Sequence, residues 1–338
     1  MSEKEKKVNK KAAIVKVAAA FAVTAALLLV FMVLAAFIGG IQVSFGRLLR
    51  GIFIAYDEDV AIIVQLRFPR IFVAILGGMA MAVAGVITQA VMRSPLADPG
   101  IIGISAGSSF VAVLVTAFLP SLYYLSPLFS FMGGLLAFAI VYALSWKGGL
   151  SPVRLILVGI AVDALFSGLS TAFNQMTGGN FTGAASIVES SISLKDWNDA
   201  FILAVYVAVG ALMCVFCVRK CNVLALSDRL ACSLGVNVSL TRLQVSVAAV
   251  FLASAATAVV GSISFLGLIV PHIARLIVGN DHKKLIPYSA LLGALFFLVA
   301  DTAGRWIAYP YEISVSIIMS IVGGPLFIIL LLRSKKYA

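Results

Sequence analysis

The sequence predicts an all-α, polytopic membrane protein with about ten transmembrane helices and both termini in the cytoplasm. Three observations carry that prediction. Of 338 residues, 62% are apolar and 12% charged, with a mean hydropathy of +1.10, whereas soluble domains run near half apolar and a quarter charged. Apolar runs approaching the ~20 residues of a membrane span recur between short breaks from residue 12 to residue 332. The basic residues are then divided very unequally between alternate loops, as short cytoplasmic loops rich in Lys and Arg require. The net charge of +11 would suggest nucleic acid as the partner of a soluble protein. Here the charges are too few and too scattered for a binding face, so the expected surroundings are a lipid bilayer and no nucleic acid.

The elements follow in order. Residues 1–11 form a basic cytoplasmic N-terminus with Lys4, Lys6, Lys7, Lys10 and Lys11, and the first apolar run covers 12–38. Ala35 and Ala36 could imitate a cleavage site, but the run exceeds the ~7–15 residues of a signal h-region, so a retained first span is expected. Further spans are expected at 60–92, 100–119, 128–146, 154–176, 199–219, 243–263, 265–279, 286–308 and 312–332, all within one transmembrane domain, 12–332, ahead of a cytoplasmic tail at 333–338. The eighth is short and contains Pro271 and His272, the pattern of a half-span or broken helix sheltered by protein. With both termini inside, the outer face carries Arg47, Arg50, Arg67, Arg70, Lys195 and Arg305, and the other nineteen of the 25 basic residues lie inside.

Two loops exceed what a hairpin between spans needs, residues 177–198 outside and 220–241 inside. The inner loop has Leu224, Leu226, Leu230 and Leu234 at helical spacing and Gly235 as a stop. A short amphipathic pair there would offer a docking surface to a partner; a helix lying on lipid headgroups fits the spacing equally. In the second and third runs Gly77, Gly78 and Gly85, with Gly103 and Gly107, read as tight helix contacts.

Little suggests catalysis. His272 and His282 lack companions at zinc-ligand spacing, and Cys214, Cys217 and Cys221 lie in an apolar run, as reduced buried thiols do. No GxxxxGK[ST] loop occurs, so no cofactor is expected, and active transport would draw on another chain or on an ion gradient. The fifth run has Asp163, Ser167, Ser170, Thr171 and Asn174 on one helical stripe, which fits a pore wall and a polar helix seam alike. Asp301 stands four residues before Arg305, the spacing of an ion pair. Arg67, Arg70 and Arg305 break the positive-inside tendency; they could grip an acidic partner or snorkel to lipid phosphates.

Leu66-Arg67-Phe68-Pro69-Arg70, the stretch from Gly85 to Gln89, the loop Arg93–Pro99 with the GIIGISAG that follows it, and above all the segment Gly261–Pro287 around FLGLIVPHIAR resemble the FecCD family. These are permeases of ATP-binding-cassette importers for ferric siderophores, haem and cobalamin. The resemblance runs through all ten runs and continues in Asp301, Arg305, Glu312 and Gly323–Phe327. It implies a non-catalytic subunit in the bacterial plasma membrane that moves a ferric siderophore, or a related chelate such as haem, inward. It also implies a second permease subunit, identical or not, two cytoplasmic ATPase subunits, and an extracytoplasmic substrate-binding protein docking at Arg67, Arg70 and Arg305. By the same resemblance Leu226, Asp228, Leu234, Gly235 and Val236 belong to the helices that couple to the ATPase, and the inner gate falls near Ser151, Pro152 and Val153.

The sequence departs from the family pattern at Ser94, Ser227, Arg229, Ser314 and Ser316. The coupling-loop changes bear on which ATPase is accepted, and together the departures fit one half of a heterodimer. The rival from another class is an ion-coupled secondary transporter that uses Asp163; a membrane scaffold without transport is a third reading.

Overall fold

Lysine-rich residues and the apolar run behind them form one continuous helix, α1 (Glu3–Phe37), in the computed structural model of the chain. The structure describes residues 3–38, 44, 46–47, 50–51, 57–145, 152–177, 187, 190, 192–193 and 195–334. The expected runs appear as α1, α2 (Glu58–Met92), α3 (Ile104–Phe118), α4 (Ser126–Ser145, after a 3-10 turn at Pro120–Leu125), α5 (Pro152–Met176), α6 (Trp197–Leu224), then α8 (Val238–Val260), α9 (Leu266–Val278), α10 (His282–Ile307) and α11 (Val315–Ser334). A six-residue helix, α7 (Asp228–Ser233), lies between α6 and α8. Seven of these segments are long and apolar enough to cross a membrane; α3, α9 and the apolar part of α11 are shorter.

Helices α2, α8 and α10 form the centre, with 78%, 83% and 72% of their most apolar windows buried, against 6% for α1 and 28% for α5. Small residues let the central helices approach. A Cβ on Gly78 would come within 2.7 Å of Phe297 Cβ on α10, and one on Gly107 within 2.7 Å of Ala137 Cβ on α4, so the glycines are contact points, as their spacing predicts. Gly103 is also a contact, since a Cβ there would come within 3.1 Å of Val162 Cγ1 on α5, and it has a second role. It has φ +81 and caps α3, a backbone region in which a side chain is disfavoured.

The third run begins later than hydropathy suggests. After α2 ends at a left-handed Arg93 (φ 49), residues 94–103 form turns around buried Asp98, whose Oδ1 accepts the Gly100 N–H at 3.0 Å. Helix starts only at Ile104. This loop meets the other irregular segment, since a Cβ on Gly100 would lie 3.3 Å from the Ile263 carbonyl oxygen. At ~1.5 Å per residue, the 13 residues of α9 reach about 20 Å, short of a ~30 Å hydrocarbon core. The half-span expectation therefore fits α9, and Pro271 does not break it.

The predicted amphipathic pair in the inner loop is one helix rather than two. Helix α6 runs on to Leu224 and α8 starts at Val238, which leaves α7 and a turn at Gly235 (φ +76) between them. Polar residues at both ends explain the break. Ser227 caps α7 by accepting the Leu230 N–H at 3.3 Å, and Asn237 caps α8 by accepting that of Leu240 at 3.0 Å.

Candidate functional site

Four regions carry the polar chemistry: the inner loop, the inner end of α2 against α9, the outer ends of α2 and α10, and the exposed side of α5. At the inner loop, α7 is anchored by Leu224 and Ala231, both fully buried, while Leu226, Leu230 and Leu234 point out of the protein, Leu234 with 66% of its surface exposed. Val236 is half-buried and Gly235 exposed. Asp228 fixes the helix: it pairs with Arg93 at 2.8 Å and with Arg242 at 3.1 Å. Arg93 further donates from Nε to the Leu224 carbonyl at 2.8 Å and from Nη2 to the carbonyl of Leu226. The end of α2, the end of α6 and the start of α8 are thus tied to one small helix that presents leucines outward. In the sequence Arg93 stood as an inside charge and as the first residue of the family-like loop Arg93–Pro99, without a role at the inner loop; its signal was the position at the end of an apolar run, where its left-handed backbone turns the chain.

A buried polar link runs from the inner end of α2 into α9. Gln89 Nε2 donates to the Gly267 carbonyl at 3.2 Å, and Gln89 Oε1 accepts from Arg275. Pro271 has no N–H to offer the carbonyl four residues back, and that carbonyl is Gly267. The Gln89 amide takes its place. Gln89 and Arg275 were not singled out as functional from the sequence, because the need for a donor arises only when α2 lies against α9.

At the outer ends, Arg70 on α2 meets Asp301 of α10 at 2.8 Å and Glu312, just before α11, at 2.9 Å. Arg305 lies 3.3 Å from Asp301 and donates to the carbonyls of Ala35 (3.3 Å) and Ile38 (3.2 Å). Arg67 donates to the Ala36 carbonyl at 2.7 Å. These bonds satisfy the carbonyls at the end of α1, which no helical N–H can reach. The pair read from the Asp301 and Arg305 spacing is present. The picture of three guanidiniums facing outward is corrected: Arg70 and Arg305 are each only 7% exposed, because they neutralise Asp301 and cap α1. All three arginines nevertheless line one cleft of about 290 Å³ with Glu312, Tyr309 and Tyr311. Arg305 Nη2 has no hydrogen-bond partner among the described residues. Partial burial pushes the Glu312 carboxyl up, but the Ser193 hydroxyl and the Arg70 guanidinium outweigh it and hold the group below the usual carboxylate range.

The stripe on α5 divides. Ser167 and Thr171 are exposed, Asp163 and Asn174 are half-buried, and Ser170 turns inward to bond the Phe166 carbonyl at 2.9 Å. Thr171 bonds the Ser167 carbonyl at 2.9 Å in the same way. Around them Leu157, Ile160 and Leu165 are more than half exposed, as are Ile317, Ile321 and Val322 on α11, so both helices leave an apolar face uncovered. Ser151, expected at the inner gate, lies outside the described residues, as do the side chains of Pro152 and Val153 at the start of α5.

The model of the FecCD transport family matches residues 27–333. The chain belongs to the FecCD transport family. Among curated relatives, proteins of Staphylococcus aureus strains MSSA476 and MW2 named "Probable heme-iron transport system permease protein IsdF" are each 39% identical over 313 residues, 91% of this chain and 95% of theirs. Among solved structures, an inward-facing transporter classed as metal-chelate type ABC superposes with a TM-score of 0.76 at 27% identity, over 94% of this chain and 99% of that one. PsaBC from Streptococcus pneumoniae shares the fold alone, with a TM-score of 0.55 at 17% identity over 85% and 95% of the two chains. Like its FecCD relatives, this chain is a multi-pass membrane protein and a permease subunit of an ABC transporter.

Proposed function

We propose that this FecCD permease moves an intact iron chelate into the cytoplasm, driven by ATP hydrolysis on separate subunits. The observation that carries the reading is α7: exposed leucines on and beside a short helix whose Asp228 is held by Arg93 and Arg242, in a sequence with no GxxxxGK[ST] nucleotide-binding loop. Leu226, Asp228, Leu234, Gly235 and Val236 form the face that meets the ATPase, and its movement passes to the spans through Arg93 and Arg242. Both termini are cytoplasmic in this reading, and ten helices serve as spans or half-spans. The uncovered faces of α5 and α11 pair with a second permease, identical or related. Asp163, Ser167, Thr171 and Asn174 then line the path between the two copies, and the turn at 151–153 closes it inside.

A substrate-binding protein docks on the outer cleft, where an acidic side chain meets Arg67, while the buried Arg70 and Arg305 hold the floor and keep it positive. A siderophore is the family's broad expectation; similarity to the haem-iron permeases over 91% of the chain favours haem as the first cargo to test. The permease catalyses no reaction of its own. Proteoliposomes containing the permease, its ATPase and its binding protein are expected to take up haem or a ferric siderophore only with ATP inside the ATPase compartment. Uptake that survives without the ATPase, stops with an uncoupler and is lost in Asp163→Asn would replace this reading with ion-coupled transport.

A further inference from the structure

Between α2, α6, α8 and α10 lies an apolar cavity of about 480 Å³. Met79 and Val83 of α2, Cys214 and Val218 of α6, and Ile286 and Ala290 of α10 form much of its wall. From Val207 to Arg219 the α6 wall extends about 18 Å by helical rise, the depth of roughly one leaflet of a ~30 Å hydrocarbon core. Two of its lining residues are charged, Arg219 and Lys283. They share one end, because Asn222 of α6 accepts the His282 N–H at 3.0 Å and so brings the end of α6 onto the start of α10. Both basic side chains are exposed and neither has a carboxylate within 4 Å among the described residues. Asp281, the acid beside them in sequence, is occupied by the Asn222 amide at 2.9 Å and by the Lys283 N–H at 3.1 Å.

The cavity opens on the side of α6, where Leu212, Val215 and Phe216 are each more than 60% exposed. Helix α6 packs on α2, α8 and α10, whereas α5 packs on α3 and α4, so this opening is separate from the α5 and α11 faces assigned to the second permease. An apolar slot one leaflet deep, ending in two exposed cations that form no ion pair among the described residues, matches a lipid acyl chain below an anionic headgroup. We propose that the cavity binds one anionic phospholipid of the cytoplasmic leaflet, with its phosphate between Arg219 and Lys283 and an acyl chain against Cys214 and Ile286.

The test uses the full chain in nanodiscs of mixed phosphatidylcholine and phosphatidylglycerol, with retained lipids counted by native mass spectrometry. The wild-type protein should keep one phosphatidylglycerol per chain in about tenfold preference to phosphatidylcholine. The surface variant Arg219→Gln/Lys283→Gln should lose that preference, and Ala211→Phe/Ala290→Phe, which fills the slot, should lose the retained lipid itself. No preference in the wild type, or unchanged phosphatidylglycerol retention in either double variant, overturns the proposal.

Discussion

Gln89 gives its side-chain amide to the carbonyl of Gly267 at 3.2 Å, the acceptor that Pro271 leaves without a donor in α9. A proline inside a short helix is normally costly, and here a neighbouring helix supplies the missing bond. Gln89→Leu should lower stability by about 1–3 kcal/mol, the cost of a buried acceptor left unsatisfied. Pro271→Ala in the Gln89→Leu background should recover part of that loss, since residue 271 can then donate its own N–H. Recovery is partial because Arg275 still lacks its Gln89 acceptor. Thermal unfolding of the four proteins in detergent checks the cycle.

At the inner loop, Asp228 joins Arg93 and Arg242, with about half of its side chain exposed. Pairs with an exposed partner contribute little to stability, about 0–1 kcal/mol when both are exposed, so Asp228→Ala should lower the melting temperature only modestly. It should sharply reduce ATPase stimulation by the loaded binding protein, because α7 loses its tie to α2 and α8. Equal losses in ATPase coupling and in thermal stability would mean that α7 only supports the fold.

Much of the architecture was legible because hydropathy reports burial in a bilayer directly. The ten apolar runs became helices, and the glycines at 78 and 107 became contacts. The boundaries were less legible. Residues 100–103 are as apolar as a span, yet Asp98 and Gly103 bend them into turns, and polarity ended the sixth run at residue 219 although its helix continues to Leu224. In the site, Arg70 and Arg305 were visible as charges on the wrong side, but their depth was not. Burial of an arginine depends on partners far along the chain, Asp301 and the carbonyls at the end of α1, and no local pattern records them.

The outer ion network should govern acid tolerance. Asp301, 1% exposed, is the shared counter-ion of Arg70 and Arg305. Asp301→Asn leaves the buried Arg305 guanidinium without its carboxylate and Arg70 with Glu312 alone, and should cost about 3–5 kcal/mol, the scale for breaking a buried pair. Glu312 titrates below its ordinary value in the folded protein, so its stabilising contribution is complete above the unfolded-state value of about 4.3 and disappears as pH falls through the lowered one. Melting temperature should therefore stay level from neutral pH to about pH 5 in this respect and fall below about pH 4. Glu312→Gln should flatten part of that fall; an unchanged acid limb would show that Glu312 does not contribute to it.

Arg67 is the test of docking, because it can be changed without dismantling the buried pairs. It lies in the same cleft as Arg305, is half-buried and donates to the Ala36 carbonyl at 2.7 Å. Charge steers association mainly through the rate of encounter. Arg67→Glu should slow binding of the substrate-binding protein and weaken its dependence on ionic strength, while stability falls only by the loss of one bond to the end of α1, about 1 kcal/mol. Arg67→Lys keeps the charge but not the planar fork that grips a carboxylate, so it should retain the encounter rate and dissociate faster. Surface plasmon resonance with the permease in nanodiscs separates the two rates. If Arg67→Glu binds at the wild-type rate and with the same salt dependence, the outer cleft is a structural clamp on α1 and the binding protein docks elsewhere.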